Sequence, residues 1–187
     1  MSDLFPTFSG EKSAPLYAAA NSHVVPSAVL ALFLQNSMDQ GRYDLVLTRR
    51  SHSVKTHKGQ ISLPGGRREA GDASPAATAL RETHEELGIE PAHITVHGHA
   101  SPIRGLDGSE IYPVVGSCDI DAQLITPSAS EVAEVLFVPW QKLTRNKAVR
   151  ANFVMFGKTR ETWVFDGGVC KIWGLTAQIL FDLNLRG

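Results

Sequence analysis

"RETHEELGI", residues 81–89, crowds Glu82, Glu85 and Glu86 into about one helical turn and then closes at Gly88. Like charges at this spacing repel along a helix, and the carboxyl-terminal end is where the helix dipole also disfavours negative charge. Upstream, Ser74 can cap, Pro75 suits the first helical position and Gly88 suits the residue just past the end. The spacing therefore predicts a helix from Pro75 to Leu87. On a wheel of about 100° per residue the three acids share one face. Ala76, Ala77, Leu80 and Leu87 fall on the far side and are expected to face the core.

A cluster of this kind is either a solvated surface patch, as most Glu-rich helix faces are, or a site where a cation offsets the repulsion. A hard divalent ion such as Mg²⁺ fits the second case, because it takes oxygen ligands, keeps several waters and is commonly shared between a few carboxylates and substrate phosphates. The preceding "LPGGRREAGD", residues 63–72, strengthens it: Gly65 and Gly66 let the backbone come close to a ligand, so the Gly66 carbonyl could reach the same ion. Arg49, Arg50, Lys55, Lys58, Arg67 and Arg68 flank the cluster from the strand and loop before it. Some of them only solubilise a loop, but a local basic group suits a phosphate-bearing substrate.

Farther out, "SAVLALFL" (27–34) and "YDLVLTRR" (43–50), separated by the polar "QNSMDQGR", predict two strands in a hairpin or side by side. Short apolar segments at 94–100, 111–120, 134–140, 151–156 and 161–166, punctuated by Gly, Pro and Asp, extend these into a mixed sheet. A second helix is expected over 170–184, with Ile172, Leu175, Ile179 and Leu180 packed onto the sheet. Helices on a mixed sheet make an α/β layered domain. Residues 1–22, rich in Ser, Ala and Pro, lack periodicity and are expected to be an extended or partly mobile lead-in to a domain spanning 23–187.

The 187 residues suffice for one core without staples, and 43% hydrophobic with 20% charged residues is a globular balance. A net charge of −1 argues against a protein that coats nucleic acid or an anionic membrane, so anion binding must be local. Neither Cys118 nor Cys170 has a second cysteine or histidine at metal-ligand spacing, which argues against a zinc site or disulfide framework. "AVLALFL" (28–34) is far too short to span a bilayer, and no basic segment precedes it as in a secretory signal. The expectation is a soluble, cytoplasmic protein.

Gly66, five spacers, Asp72, eight spacers and then "RETHEELGI" resembles the Nudix box, whose pattern is Gly, five spacers, Glu, seven spacers, then Arg-Glu-apolar-any-Glu-Glu-any-Gly-apolar. Arg81, Glu82, Glu85, Glu86, Gly88 and Ile89 match; Asp72 replaces Glu, the second spacer is one residue longer and Thr83 takes an apolar position. "LVLTRRSHSVKTHKGQISLPGG" (45–66) is similar to the signature of the coenzyme A diphosphatase branch, with Thr48, Arg50, Ser51, Gly59 and Pro64-Gly65-Gly66 in place. Lys55 stands where Arg or Gln is commoner, and Leu63 replaces Phe. "EIYPVVG", "EVAEVLFVPW" and "IWGLTAQIL" extend the likeness over roughly 25–183.

The resemblance implies a Nudix fold, an α/β/α sandwich with a central mixed sheet, and Mg²⁺- or Mn²⁺-dependent cleavage of a diphosphate. It implies coenzyme A or a derivative as the small-molecule nucleotide substrate, and a homodimer. ADP-ribose, dinucleoside polyphosphates and other nucleotides stand as alternative substrates, and a non-catalytic nucleotide-binding module as an alternative class. It assigns metal binding to Glu82, Glu85, Glu86 and Gly66, catalysis to Glu82, Glu85 and Arg81, and substrate contact to Arg50, Lys55, His57 and Gly65. The base is Glu82 or Glu85, or an acid from a distant loop such as Glu131 or Glu134, whose other reading is a solvated strand edge. Arg81 is expected to orient the acids through a pair with Asp72. His84 reads as a packed or hydrogen-bonded structural histidine rather than a catalyst, and Trp163 and Trp173 as core residues rather than adenine platforms.

Overall fold

The computed structural model describes residues 5–8, 10–12, 17, 24–35, 42–53, 58–105, 108–155 and 157–185. In chain order the elements are β1 (Ser27–Gln35), β2 (Tyr43–Arg50), β3 (Ile61–Ser62), β4 (Gly65–Arg67), α1 (Pro75–Leu87), β5 (Ile94–His99), β6 (Ile103–Arg104) and β7 (Glu110–Cys118). They are followed by β8 (Val132–Pro139), β9 (Val149–Met155), β10 (Lys158–Asp166), β11 (Lys171–Trp173) and α2 (Gly174–Leu183).

The main sheet runs β3-β2-β1-β7-β5, with β4 on β1, β6 on β7 and β8 on β2. Strands β1 and β2 pair antiparallel as the apolar runs predict. The sheet is mixed because β1 and β7 are parallel, from Ser27 opposite Ile111 to Leu34 opposite Cys118. Alternation along β1 divides the core: Leu30, Leu32 and Leu34 join Ala79, Leu87 and Ile89 under α1, while Ala31 and Phe33 join Phe165, Leu180 and Leu183 under α2. Each of these fully buried leucines contributes roughly 1.5–3 kcal/mol. An α/β/α sandwich results, with β9, β10 and β11 forming a small antiparallel sheet beside α2.

Helix α1 has the predicted bounds. Ser74 Oγ accepts from the Ala77 N–H at 3.2 Å, and Gly88, at φ 69°, donates its N–H to the His84 carbonyl. Its buried face differs from the wheel expectation. Pro75, Thr78, Ala79, Thr83, Glu86 and Leu87 are buried, so the core side takes in Glu86 instead of lying opposite the acids. The reason is that α1 packs across β1 and β4, whose Gly65 and Gly66 supply polar backbone and space. Thr83 tolerates burial by donating its hydroxyl to the Ala79 carbonyl at 2.7 Å. His84 is accordingly not packed: its side chain is 45% exposed, 3.7 Å from Glu90.

Helix α2 begins at Gly174 rather than 170. Lys171–Trp173 is a strand paired with β10, and Gly174 breaks from it at φ 68°. Three apolar-spaced strand residues are indistinguishable by periodicity from a first helical turn. Ile172 is therefore buried from a strand, Leu175 is exposed, and the helix buries Thr176, Ala177, Ile179, Leu180 and Leu183. Trp163 stacks on Phe181 and Trp173 on Phe153, with centroids 3.8 and 5.0 Å apart. Ahead of β1, Phe5 meets Phe33 and Tyr43 edge-on, and Glu11 exchanges backbone hydrogen bonds with His99. Among the described residues no helix is long and apolar enough to cross a membrane.

Candidate active site

Pairing of β4 with β1 sets Gly66 opposite Ala28 and presses its backbone against α1. A Cβ at Gly66 would stand 2.5–2.6 Å from the Glu82 carboxylate, and one at Gly65, at φ 146°, would strike the Ala28 carbonyl. Backbone contact requires glycine at position 65, whereas a side chain at position 66 would displace the Glu82 carboxylate, which the Gly66 backbone borders.

Glu86 is 2% exposed. Its Oε2 accepts the Gly65 N–H at 3.3 Å, and its Oε1 lies 3.7 Å from Arg50 Nη1. Burial, reinforced by the charges of Glu82 and Glu131, outweighs these two partners and pushes its carboxyl up to about 7. Burial also raises Glu82, with Glu85 and Glu131 adding to the rise and Arg81 opposing it. Both are carboxylates short of positive charge.

Arg81 is the hub. It donates to Asp72 from Nε at 3.2 Å and Nη2 at 3.1 Å, to Glu82 at 2.9 Å, to Glu85 at 3.0 Å and to the Arg67 carbonyl at 2.9 Å. The expected Arg81–Asp72 pair is thus present. Burial alone would raise the Asp72 carboxyl. Donation from Arg81, the Glu69 N–H and Thr78 Oγ1 instead holds it at about 2. Thr78 was absent from the sequence reading, although a lone hydroxyl in the "PAATAL" turn marked it.

Glu85 sits on the rim, its side chain 49% exposed and paired with Arg81. Glu134 is taken by Arg49 at 2.8 Å, whereas Glu131 acts on both Glu82 and Glu86. A register shift at Arg49/Arg50 in the β2–β8 ladder and the Ser51 N–H on the Glu131 carbonyl bring Glu131 to that side. Arg49 and Arg68 are engaged, with Arg68 donating to the Asp72 carbonyl; Arg67 and Lys58 are exposed. Arg50 approaches Glu86, and its buried Nε has no hydrogen-bond partner among the described residues. Lys55 and His57 lie outside the described residues.

Among the described residues no three Asp, Glu, His or Cys side chains converge on one point at metal-ligand spacing. Arg81 holds Glu82 and Glu85, and Arg50 neighbours Glu86. The donors nevertheless fit a hard divalent ion: all are oxygens, Glu82 and Glu86 both have raised carboxyls that a cation would lower, and the Gly66 backbone abuts Glu82.

The NUDIX domain model matches residues 25–156. Nudix hydrolase 22, chloroplastic, of Arabidopsis thaliana is 35% identical over 148 residues, covering 76% of this chain and 49% of that protein, so the chain spans about half the plant relative's length. The uncharacterized Nudix hydrolase NudL of Enterobacter sp. strain 638 is 33% identical over 143 residues, covering 76% of this chain and 74% of its own. Among solved structures, a Nudix hydrolase from M. smegmatis, RenU, superposes with a TM-score of 0.51 at 23% identity, covering 63% of this chain and 72% of that one. A MutT/nudix family protein from Enterococcus faecalis gives 0.54 at 15% identity over 89% and 63%. The fold is shared with both.

Proposed function

Because the chain belongs to the Nudix family, we propose that it is a divalent-metal-dependent hydrolase that cleaves the diphosphate of coenzyme A or a derivative. The products are adenosine 3′,5′-bisphosphate and 4′-phosphopantetheine, the latter with any acyl group attached. We assign residues 23–187 to the hydrolase domain and 1–22 to a segment before it, and place the protein in the cytoplasm as a homodimer.

The observation that carries this reading is the approach of Arg50 to Glu86. Arg50 belongs to the basic signature segment and lies 3.7 Å from the buried acid of the box helix, with no hydrogen-bond partner for its Nε among the described residues. A guanidinium beside a would-be cation ligand suits recognition of a diphosphate oxygen. Lys55 and His57 follow in the same segment, and the 3′-phosphate of coenzyme A adds a charge that a local basic group would recognise.

In this reading Glu82, Glu86 and the Gly66 carbonyl would hold the ion, with Glu85 in support. Mg²⁺ or Mn²⁺ there would draw charge from the phosphoryl oxygens and acidify an attacking water. Glu82 or Glu85 accepts that water's proton, and Glu131 keeps Glu82 basic through its charge. Arg81, anchored on Asp72, keeps Glu82 against Gly66. Arg50 and the Gly65 backbone orient the diphosphate.

The test is mass spectrometry of products after incubating the protein with coenzyme A and, in parallel, ADP-ribose, each with Mg²⁺, Mn²⁺ or EDTA. Metal-dependent release of 4′-phosphopantetheine in preference to ADP-ribose cleavage supports the reading. Cleavage of ADP-ribose alone keeps the acidic site and removes the coenzyme A assignment. Cleavage of neither, across a wider nucleotide panel, favours a binding module.

A further inference from the structure

The geometry points to Tyr17 as a positioning residue for the acidic site, acting through Thr78 and Asp72 on Arg81; the role rests on the hydrolase reading above. Tyr17 lies ahead of the residues that the family match covers, 25–156. Its hydroxyl is 2.5 Å from Thr78 Oγ1, and Thr78 Oγ1 is 2.8 Å from Asp72 Oδ2. Asp72 then takes Arg81 Nη2 at 3.1 Å, and the same nitrogen reaches Glu82 Oε1 at 2.9 Å.

The proton order along this chain is determined. Asp72, held at about 2, is ionised at neutral pH and only accepts. Thr78 has one hydroxyl proton and gives it to Asp72, so Tyr17 must donate to Thr78. Thr78 is 0% exposed and Asp72 5%, so water does not substitute for either contact. Successive hydroxyls pointing toward a carboxylate polarise one another, which strengthens the last bond. Without the tyrosine proton, Thr78 has a competing option in its helix, the carbonyl one turn back at Ser74. Tyr17 thus selects the Thr78 rotamer that serves Asp72.

The tyrosine ring is itself placed from two sides. Tyr112 of β7 meets it edge-on at 5.1 Å, and the Arg68 guanidinium lies 4.6 Å over its face while Arg68 Nε donates to the Asp72 carbonyl. The same loop is therefore held by the tyrosine through its ring and through its hydroxyl. Replacement by Phe separates the two, because it keeps the ring contacts and removes only the proton.

The experiment compares wild type with Tyr17→Phe, Thr78→Val, Thr78→Ser and the Tyr17→Phe/Thr78→Val double variant. It reads kcat and KM for diphosphate hydrolysis and hydrogen exchange of the Glu69 amide, which donates to Asp72. Tyr17→Phe is expected to lower kcat about tenfold with KM within about twofold, and to speed Glu69 exchange. Thr78→Ser restores the hydroxyl and the rate, and in the Thr78→Val background Tyr17→Phe changes neither readout further. Wild-type kcat and exchange in Tyr17→Phe, or additive effects in the double variant, overturn the proposal. If the wild-type protein hydrolyses no diphosphate, the hydrolase reading fails by itself, and Glu69 exchange with its non-additivity decides the Tyr17 coupling alone.

Discussion

One nitrogen of Arg81 lies 3.1 Å from Asp72 Oδ2 and 2.9 Å from Glu82 Oε1, so a single guanidinium ties the loop acid to the helix acid. Asp72 is 5% exposed and has no solvent to fall back on. Arg81→Ala is expected to destabilise the protein by about 3 kcal/mol, because it strands a buried carboxylate. Urea unfolding with calorimetry checks this; a loss below about 1 kcal/mol would show that Asp72 is supported by its loop and Thr78 alone.

Glu86 makes the metal-free protein pH-sensitive. Its folded pKa, about 7, lies above the ordinary 4.5, so the stability it supports is fully present below 4.5 and is lost as pH rises through 7. The whole effect is on the order of 3 kcal/mol. Asp72, lowered from 3.8 to about 2, has the opposite sign: its stabilisation is present above 3.8 and lost as pH falls through 2. Unfolding in EDTA should therefore be hardest between about pH 4 and 5. Glu86→Gln should flatten the decline from pH 5 to 8 while abolishing metal-dependent turnover, and unaffected turnover would refute its place in the site.

Gly66→Ala sets a methyl carbon 2.5–2.6 Å from the Glu82 carboxylate, which must swing away. The expected result is at least a tenfold weaker Mn²⁺ affinity, measured by electron paramagnetic resonance titration. An unchanged affinity would remove Glu82 and the Gly66 carbonyl from a common ion.

Glu131 and Glu134 are three residues apart yet differ in consequence. Glu134 makes a surface pair with Arg49, so Glu134→Gln should change stability by less than about 1 kcal/mol and leave kcat alone. Glu131 raises the carboxyls of both Glu82 and Glu86. Glu131→Gln should move the acid limb of the kcat against pH profile downward, and an unmoved limb would place Glu131 outside the site.

Local rules located α1, its cap at Ser74, its stop at Gly88 and the paired strands β1 and β2, because capping, left-handed glycine and apolar alternation act between residues close in sequence. The Nudix box, with its Arg81, Glu82, Glu85 and Glu86, was legible for the same reason: four positions of its pattern lie on one helix at fixed spacing. Where two structures share a local pattern, as strand β11 and the expected first turn of α2 do, the pattern does not choose between them.

Tertiary structure decided which face of α1 is buried, and with it which acids are hidden. Glu86 went inward because Gly65 and Arg50, distant in sequence, supply partners there, while Glu85 stayed on the rim with Arg81. It also separated Glu131 from Glu134 and joined Tyr17 to Asp72 through Thr78. The residue types and their helical spacing are properties of the chain. Burial, and the charge balance that follows from it, depends on what the rest of the fold brings alongside.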